Sequence, residues 1–237
     1  MEYTIQTTVE GSLCDERCRM TPAYILRLAQ DVSAAHCVEL GIDRATLLTQ
    51  GKLFLLAKLR LTILKTPMEN DKLTITTRPY APVRFTYPRF TDICSGSGAL
   101  LARIDSRWIL VDASTFRIET GVPSFLEGMF PAPPEDTADF RVPRRDDYKK
   151  LYDLPVRYSM IDKNGHMNNT VYASVATDAV GDLIRSGADI SSMTISYHKE
   201  ARYGTTLSIE VSGGNGGSYV RGLLPDGTPC FEVSIDQ

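Results

Sequence analysis

No Gly-x-Ser-x-Gly elbow occurs in the 237 residues, which counts against a serine hydrolase built on a strained strand-to-helix turn. There is no CxxC pair either, and the five cysteines are an odd number, so reduced thiols in a cytosol are expected rather than a disulfide framework. Cys14, Cys18, Cys37 and His36 fit no standard zinc spacing, so no metal site and no cofactor is expected. His36 is read as a structural residue of a helix. No apolar run is long enough to cross a bilayer. The opening Met1-Glu-Tyr-Thr-Ile-Gln lacks the basic start and apolar stretch of a signal peptide, so a cytoplasmic protein is expected. A net charge of -3 gives no reason to expect nucleic acid as a partner.

What the chain does have is 43% hydrophobic composition, enough for one large or two small cores, and one concentrated polar stretch at residues 156–172. Asp162, Asn164 and His166 alternate with Lys163 and Gly165, and Asn168 and Asn169 follow. Either asparagine can accept from free N–H groups of a first helical turn, which predicts a helix starting just after His166. Gly165 suits a tight turn before it. Tyr172, Val175, Ala176, Ala179 and Leu183 then recur at i, i+3, i+4, i+7 and i+11, the stripe of a helix packed on a core. A helix N-terminus held in place by that packing offers donors and a positive dipole end to an oxyanion. Asp162 and Asn164 alone would read as a structural turn bonding its own backbone. One of only three histidines inside the same cluster turns the reading toward a functional site.

The first half lies against the second without gaps when 147 is added to each number: Val9 meets Val156, Ser12 Ser159, Asp15 Asp162, Met20 Met167, Ala29 Ala176 and Asp31 Asp178. Both copies set the match at a strand-to-helix junction, since residues 3–9 alternate as a strand and Thr21-Pro22 opens a helix whose stripe is Ile25, Leu28, Ala29 and Val32, ending near Gly41. An internal duplication is expected. Arg17 and Arg19 stand where the second copy has Asn164 and His166, so the first copy keeps the scaffold and loses the chemistry. Strand-like segments follow each helix, at 53–64, 72–78, 83–94 and 100–112 in the first half and 192–199, 206–211, 219–223 and 230–235 in the second. Residues 213–217, Gly-Gly-Asn-Gly-Gly, read as a hairpin turn, because no Lys-Ser/Thr follows to make a phosphate loop.

The Asp162, Asn164, His166, Asn168, Asn169 and Tyr172 run resembles that of the acyl-acyl-carrier-protein thioesterases, and the strand end Tyr197, His198, Lys199, Glu200 resembles their second element. The resemblance covers nearly the whole chain. It implies an α+β fold of two tandem hotdog domains, each a curved antiparallel sheet wrapped around a long central helix. Residues 1–120 are then an N-terminal hotdog that takes the acyl chain, 121–150 a proline-rich linker, and 151–237 the catalytic hotdog. It implies catalytic roles for Asp162, Asn164, His166 and Glu200, with Asn168 and Asn169 binding substrate. Many plant members carry a cysteine after the glutamate; Ala201 excludes a cysteine nucleophile at that position. Trp108 resembles the family's strand tryptophan and is read as packing. Strand alternation brings His198 to the face of Glu200 unless a bulge intervenes.

The implied reaction is hydrolysis of a fatty acyl-carrier-protein thioester, with an acyl carrier protein as partner. Glu200 would activate water while His166 and Asn164 orient the water or the carbonyl. Asp162 would either position them or attack the carbonyl itself. Arg141, Arg144, Arg145, Lys149 and Lys150 are the basic run that a carrier could meet, a solvated charge run being the plainer reading. An acyl-CoA thioesterase, a hydratase on the same scaffold and a non-catalytic acyl-binding protein are the alternatives. A homodimer is left open.

Overall fold

The structure is a computed structural model that describes residues 1–135, 140–214 and 217–237. The chain forms two compact units. Residues 1–21, 25–59 and 64–139 make the first, and residues 22–24, 60–63 and 140–237 the second, the first reaching beyond the boundary at 120 expected from the proline-rich stretch. The reason lies in apolar residues within that stretch: Leu126 is buried, and Phe125, Met129 and Phe130 pack on the core of the first unit.

The first half of the chain, which carries the first unit apart from residues 22–24 and 60–63, runs β1 (Tyr3–Thr8), α1 (Pro22–Glu39), α2 (Arg44–Thr49), β2 (Lys52–Ile63), β3 (Lys72–Pro79), β4 (Thr86–Ser95) and β5 (Leu100–Asp112), with strand order β1-β3-β4-β5-β2. The β1–β3, β3–β4 and β4–β5 pairs are antiparallel. Proline at the first position of α1 sets the helical φ without a wasted donor, although Thr21 makes no side-chain cap. The helix ends where Gly41 takes a φ of +67°. Ile25, Ala29, Val32 and His36 form its buried stripe, while Leu28 is only half-buried. His36 stacks on Tyr3 of β1, and Ser33 meets Thr77 of β3, so the helix lies across one face of the sheet.

The second unit repeats the plan with β6 (Lys149–Pro155), α3 (Asn169–Ala179), α4 (Gly181–Arg185), β7 (Ser192–Tyr197), β8 (Thr206–Gly214), β9 (Gly217–Leu223) and β10 (Pro229–Asp236), in strand order β7-β10-β9-β8-β6. Gly214 pairs with Gly217 across the β8–β9 hairpin, and the turn residues expected at its tip, 215 and 216, lie outside the described residues. Tyr172 packs edge-on against Tyr197 of β7 at 5.5 Å and Phe231 of β10 at 4.9 Å, fixing α3 on the sheet. Each unit is thus an α+β, hotdog-type sheet with a helix on one face.

The second helix is shorter than the apolar stripe implied. It stops at Val180, with φ -116° and ψ 16°, and α4 restarts at Gly181 on a new phase. The i+11 position therefore leaves the stripe, and Leu183 is exposed.

The +147 correspondence holds in three dimensions. Short 3-10 turns occupy Gly11–Leu13 and Tyr158–Met160, and the helices begin at Pro22 and Asn169, each pair 147 apart. Beneath α3, Gly222 of β9 faces Phe231 of β10, and a Cβ there would lie 2.2 Å from the Phe231 ring. Gly222→Ala is expected to cost about 1–3 kcal/mol through overpacking. Urea denaturation of the variant checks this, and an unchanged midpoint would show that the ring can move aside.

Candidate active site

Five main-chain contacts shape the polar loop between β6 and α3. Asp162 N donates to His166 O at 3.0 Å, and Gly165 N to Asp162 O at 3.0 Å, closing a turn that needs Gly165 at φ +82°. Ile161 and Met167 bridge across it. Met167 N then donates to Ala201 O at 2.8 Å, while a backbone bridge joins His166 to Arg202. Glu200, thirty-four residues beyond His166 in the sequence, is held beside it by this short ladder. Val156 N to Thr205 O, 2.8 Å, and Gly204 N to Val156 O, 3.1 Å, tie down the other end of the Glu200 loop.

The side chains follow. Asp162 accepts from Asn164 N at 2.8 Å and from Asn164 Nδ2 at 3.2 Å, so both carboxylate oxygens face the asparagine. With its amide nitrogen turned to Asp162, the Asn164 carbonyl oxygen is left to the solvent side. His166 Nδ1 lies 3.3 Å from Met167 O, and since a carbonyl only accepts, the proton in that bond sits on Nδ1. Nε2 is then directed toward Glu200 Oε1 at 3.7 Å. Arg202 approaches the other Glu200 oxygen, also at 3.7 Å. Both separations exceed hydrogen-bond length, as catalytic contacts often do before substrate closes on them. The imidazole is mostly sheltered and the Glu200 carboxylate 40% exposed, so the pair is reached from solvent on the glutamate side. An open groove of about 650 Å3 lined by Tyr203, Thr205, Thr206 and Leu224 begins just past Arg202.

Asn168 accepts from Thr170 N at 2.9 Å and Val171 N donates to its main-chain oxygen, so it is the N-cap of α3. Those donors are spent on the cap, which leaves the helix to act on an oxyanion mainly through its dipole. Asn169 is the first helical residue, and its carbonyl accepts from the Tyr197 hydroxyl at 3.0 Å.

Asp162, Asn164, His166 and Glu200 thus come together, with Asn168 and Asn169 on the adjoining turn. His198 does not join them. Successive N–H groups of His198 and Lys199 both donate to Cys230 O, so a bulge breaks the alternation, and His198 pairs with Glu232 at 2.8 Å instead. Arg145 is likewise committed. It pairs with Asp147 and stacks on Tyr219, which fastens the connecting segment to β9. Lys150 pairs with Asp153, while Arg141, Arg144 and Lys149 are exposed.

Sequence reasoning missed two residues. Arg202 follows Glu200 by two and so shares its side of the segment, a signal available in principle. Cys230 has no such signal. Its thiol lies behind the Glu200 strand end, donating to Lys199 O at 3.0 Å, and burial pushes its pKa up to about 11. It is a protonated packing group, not a nucleophile.

In the first unit the same turn is closed differently. Asp15 N donates to Arg19 O, Cys18 N to Asp15 O, and Met20 N to Pro67 O, with Cys18 at φ +59° in the place of Gly165. Arg19 Nε and Nη2 clamp Asp15 Oδ2 at 3.0 and 2.8 Å. Burial works to raise the Asp15 carboxyl, but hydrogen bonds from Arg19 and Arg17 outweigh it and hold it below its ordinary value. Pro67 and Met68 occupy the bridging positions of Ala201 and Arg202, so Thr66 stands where Glu200 does. The first copy lacks the histidine, the asparagine and the free carboxylate.

Two domain patterns describe this arrangement. That of the acyl-ACP thioesterase N-terminal domain matches residues 2–128, and that of the acyl-ACP thioesterase C-terminal domain matches residues 144–221. The chain belongs to the acyl-ACP thioesterase family. Oleoyl-acyl carrier protein thioesterase 2, chloroplastic, from Arabidopsis thaliana is 26% identical over 198 residues, 75% of this chain and 54% of its own length. Oleoyl-acyl carrier protein thioesterase 1, chloroplastic, from the same plant is 26% identical over 83% of this chain and 61% of its own length. The chain therefore spans less than two thirds of either relative. Among solved structures, an acyl-ACP thioesterase from Bacteroides thetaiotaomicron superimposes with a TM-score of 0.89 at 18% identity, covering 99% of this chain and 97% of its own. The 12:0-ACP thioesterase from Umbellularia californica gives 0.86 at 17% identity, over 99% and 96%. At such identities these two establish the shared fold.

The cap can be tested apart from chemistry. Asn168→Ala is expected to lower stability by about 1 kcal/mol, while Asn168→Asp, which keeps the acceptor, restores most of it. Thermal melts of both variants check the role, and equal loss in both would assign Asn168 to something other than the cap.

Proposed function

We propose that the chain hydrolyses the thioester of a fatty acyl-carrier protein, releasing free fatty acid and the carrier thiol, with catalysis in the second repeat and the acyl chain in the first. The observation that carries this is Glu200 set beside His166 within a family whose members are named for that reaction. Glu200 accepts a proton from water as the water oxygen bonds to the thioester carbonyl carbon. Negative charge collects on the carbonyl oxygen, then returns to expel sulfur as the C–S bond breaks, and the Glu200 proton passes to the departing thiolate. His166, its proton held on Nδ1, accepts a hydrogen bond from the attacking water through Nε2. Asn164, its amide nitrogen turned to Asp162, orients the water by accepting from it through the free amide oxygen.

Asp162 fits the role of positioner better than that of nucleophile, because both its oxygens are engaged by Asn164. The groove lined by Tyr203, Thr205, Thr206 and Leu224 is where the carrier's pantetheine arm would lie. All four polar residues come from one chain, so this reading needs no second copy. Five free thiols suit a reducing compartment; the cytoplasm is our expectation, and the Arabidopsis relatives are named chloroplastic. The clamped Asp15 and missing glutamate of the first repeat support a non-catalytic, chain-holding role for it.

Fatty acid release from a panel of acyl-carrier-protein and acyl-CoA thioesters, followed by mass spectrometry, tests the proposal. Glu200→Gln and His166→Ala should each lower kcat by about 10²–10⁴-fold with the fold intact. Cys230→Ala should stay within a few-fold of wild type. Full activity in Glu200→Gln would remove the general-base role. Turnover of CoA thioesters alone would favour the acyl-CoA reading, hydration of an enoyl thioester the hydratase, and binding without turnover of any thioester the acyl-binding protein.

A further inference from the structure

The core of the first unit contains two polar groups that a purely apolar chain would not use. Tyr87 of β4 is 5% exposed and sits among Phe54 at 5.0 Å, Phe130 at 6.2 Å and the buried Leu110 and Leu126. Among the described residues its hydroxyl has no hydrogen-bond partner. Two residues on, and so on the same face of the strand at about 7 Å along it, stands Arg89, 6% exposed. Its guanidinium meets His36 Nδ1 at 3.3 Å, Thr77 Oγ1 at 3.2 Å and Cys37 Sγ at 3.5 Å. None of these carries negative charge. Burial and the neighbouring Arg89 lower the His36 pKa, keeping the imidazole neutral, and burial raises that of Cys37 despite the arginine. Among the described residues, the interior therefore holds a cation with no counter-ion and a hydroxyl with no partner. Cys37 links them, since it touches the guanidinium and also packs on the apolar cluster around Tyr87.

Both groups are costly as structure. A buried unpaired hydroxyl forfeits its hydration, and a buried cation without a carboxylate does so more severely. Phenylalanine would fill the Tyr87 site with the same ring. A saturated acyl chain offers nothing to either group, whereas an oxygen on the chain would satisfy both: a hydroxyl accepts from or donates to the phenol, and a carboxylate pairs with the guanidinium. We propose that Tyr87 and Arg89 form a polar reading point inside the first repeat, selecting acyl chains that carry an oxygen function, a hydroxyl or a terminal carboxylate. This rests on the reading that the first repeat holds the acyl chain. It makes Tyr87 and Arg89 specificity residues of the first repeat.

Calorimetric binding to the full chain tests it without requiring turnover. The probes are pantetheine thioethers of one chain length: unsubstituted, hydroxylated at successive positions, and ending in a carboxylate. At least one oxygenated probe should bind wild type ten-fold or more tightly than the unsubstituted one. Tyr87→Phe should abolish the preference for the hydroxylated probe while binding the unsubstituted probe as wild type does, and its unliganded Tm should match or exceed wild type. Arg89→Met should abolish a preference for the carboxylate probe; if it fails to fold, Tyr87→Phe still decides. Equal or weaker binding of every oxygenated probe overturns the inference, as does a preference that survives Tyr87→Phe and Arg89→Met. A chain that cleaves unsubstituted acyl-carrier protein but shows no such preference overturns this inference alone. One that shows the Tyr87-dependent preference yet cleaves no thioester overturns the hydrolase reading alone.

Discussion

An aspartate whose carboxylate accepts the main-chain N–H two residues ahead is the constraint on which both halves depend. Asp162 holds Asn164 N, and Asp15 holds Arg17 N, at 2.8 and 2.9 Å. In each case the bond tightens a loop that must reverse between an outgoing strand and an incoming helix, with a left-handed residue at the third following position. Removing the carboxylate would free the turn, and with it the direction in which residue 166 or 19 leaves the backbone. The helix start, the adjoining bridge to the next strand and the approach of Glu200 are all downstream of that direction.

The two copies then spend the same turn differently. Arg19 reaches back to Asp15 with two nitrogens, a bidentate pair that fills the second carboxylate oxygen and closes the loop on itself. His166 is too short and too rigid to do this. Its Nδ1 goes to its neighbour's carbonyl and its Nε2 faces outward to Glu200, so the second copy leaves a basic nitrogen and a carboxylate at the surface of a fixed frame. The same geometry yields a lock in one repeat and an accessible acid–base pair in the other. Installing histidine at position 19 alone would free Asp15 without supplying a partner, since Thr66 holds the place of Glu200.

Much of this was legible in the sequence because it is local. The turn, the cap at Asn168, the helix starts and the 147-residue offset all depend on residues within a few positions of one another. What escaped reading depends on cross-strand partners. His198 alternates correctly on paper, but one extra residue at the bulge opposite Cys230 turns it toward Glu232. Arg145 looked like part of a charge run until Asp147 and Tyr219 claimed it. Leu183 kept the helical period in sequence, yet the helix restarts at Gly181 and the period no longer points at the core. The apolar pattern reports which residues want burial; it does not report where the backbone changes phase.

The buried polar pair of the first repeat follows from the same division. In that repeat Arg19 clamps Asp15, so its turn presents no free carboxylate. A core under only the demand of stability would fill β4 with apolar side chains, as positions 101, 102 and 104 of β5 do. Among the described residues, position 87 has an oxygen without a partner and position 89 a charge without a counter-ion, two residues from each other on one face. Either alone would pass as a tolerated defect. Together, joined through Cys37 to one aromatic cluster, they are a local loss of stability in the core. A ligand hydroxyl would remove the cost at the phenol and a ligand carboxylate that at the guanidinium, so the affinity gained by either is drawn from energy the empty fold has already given up.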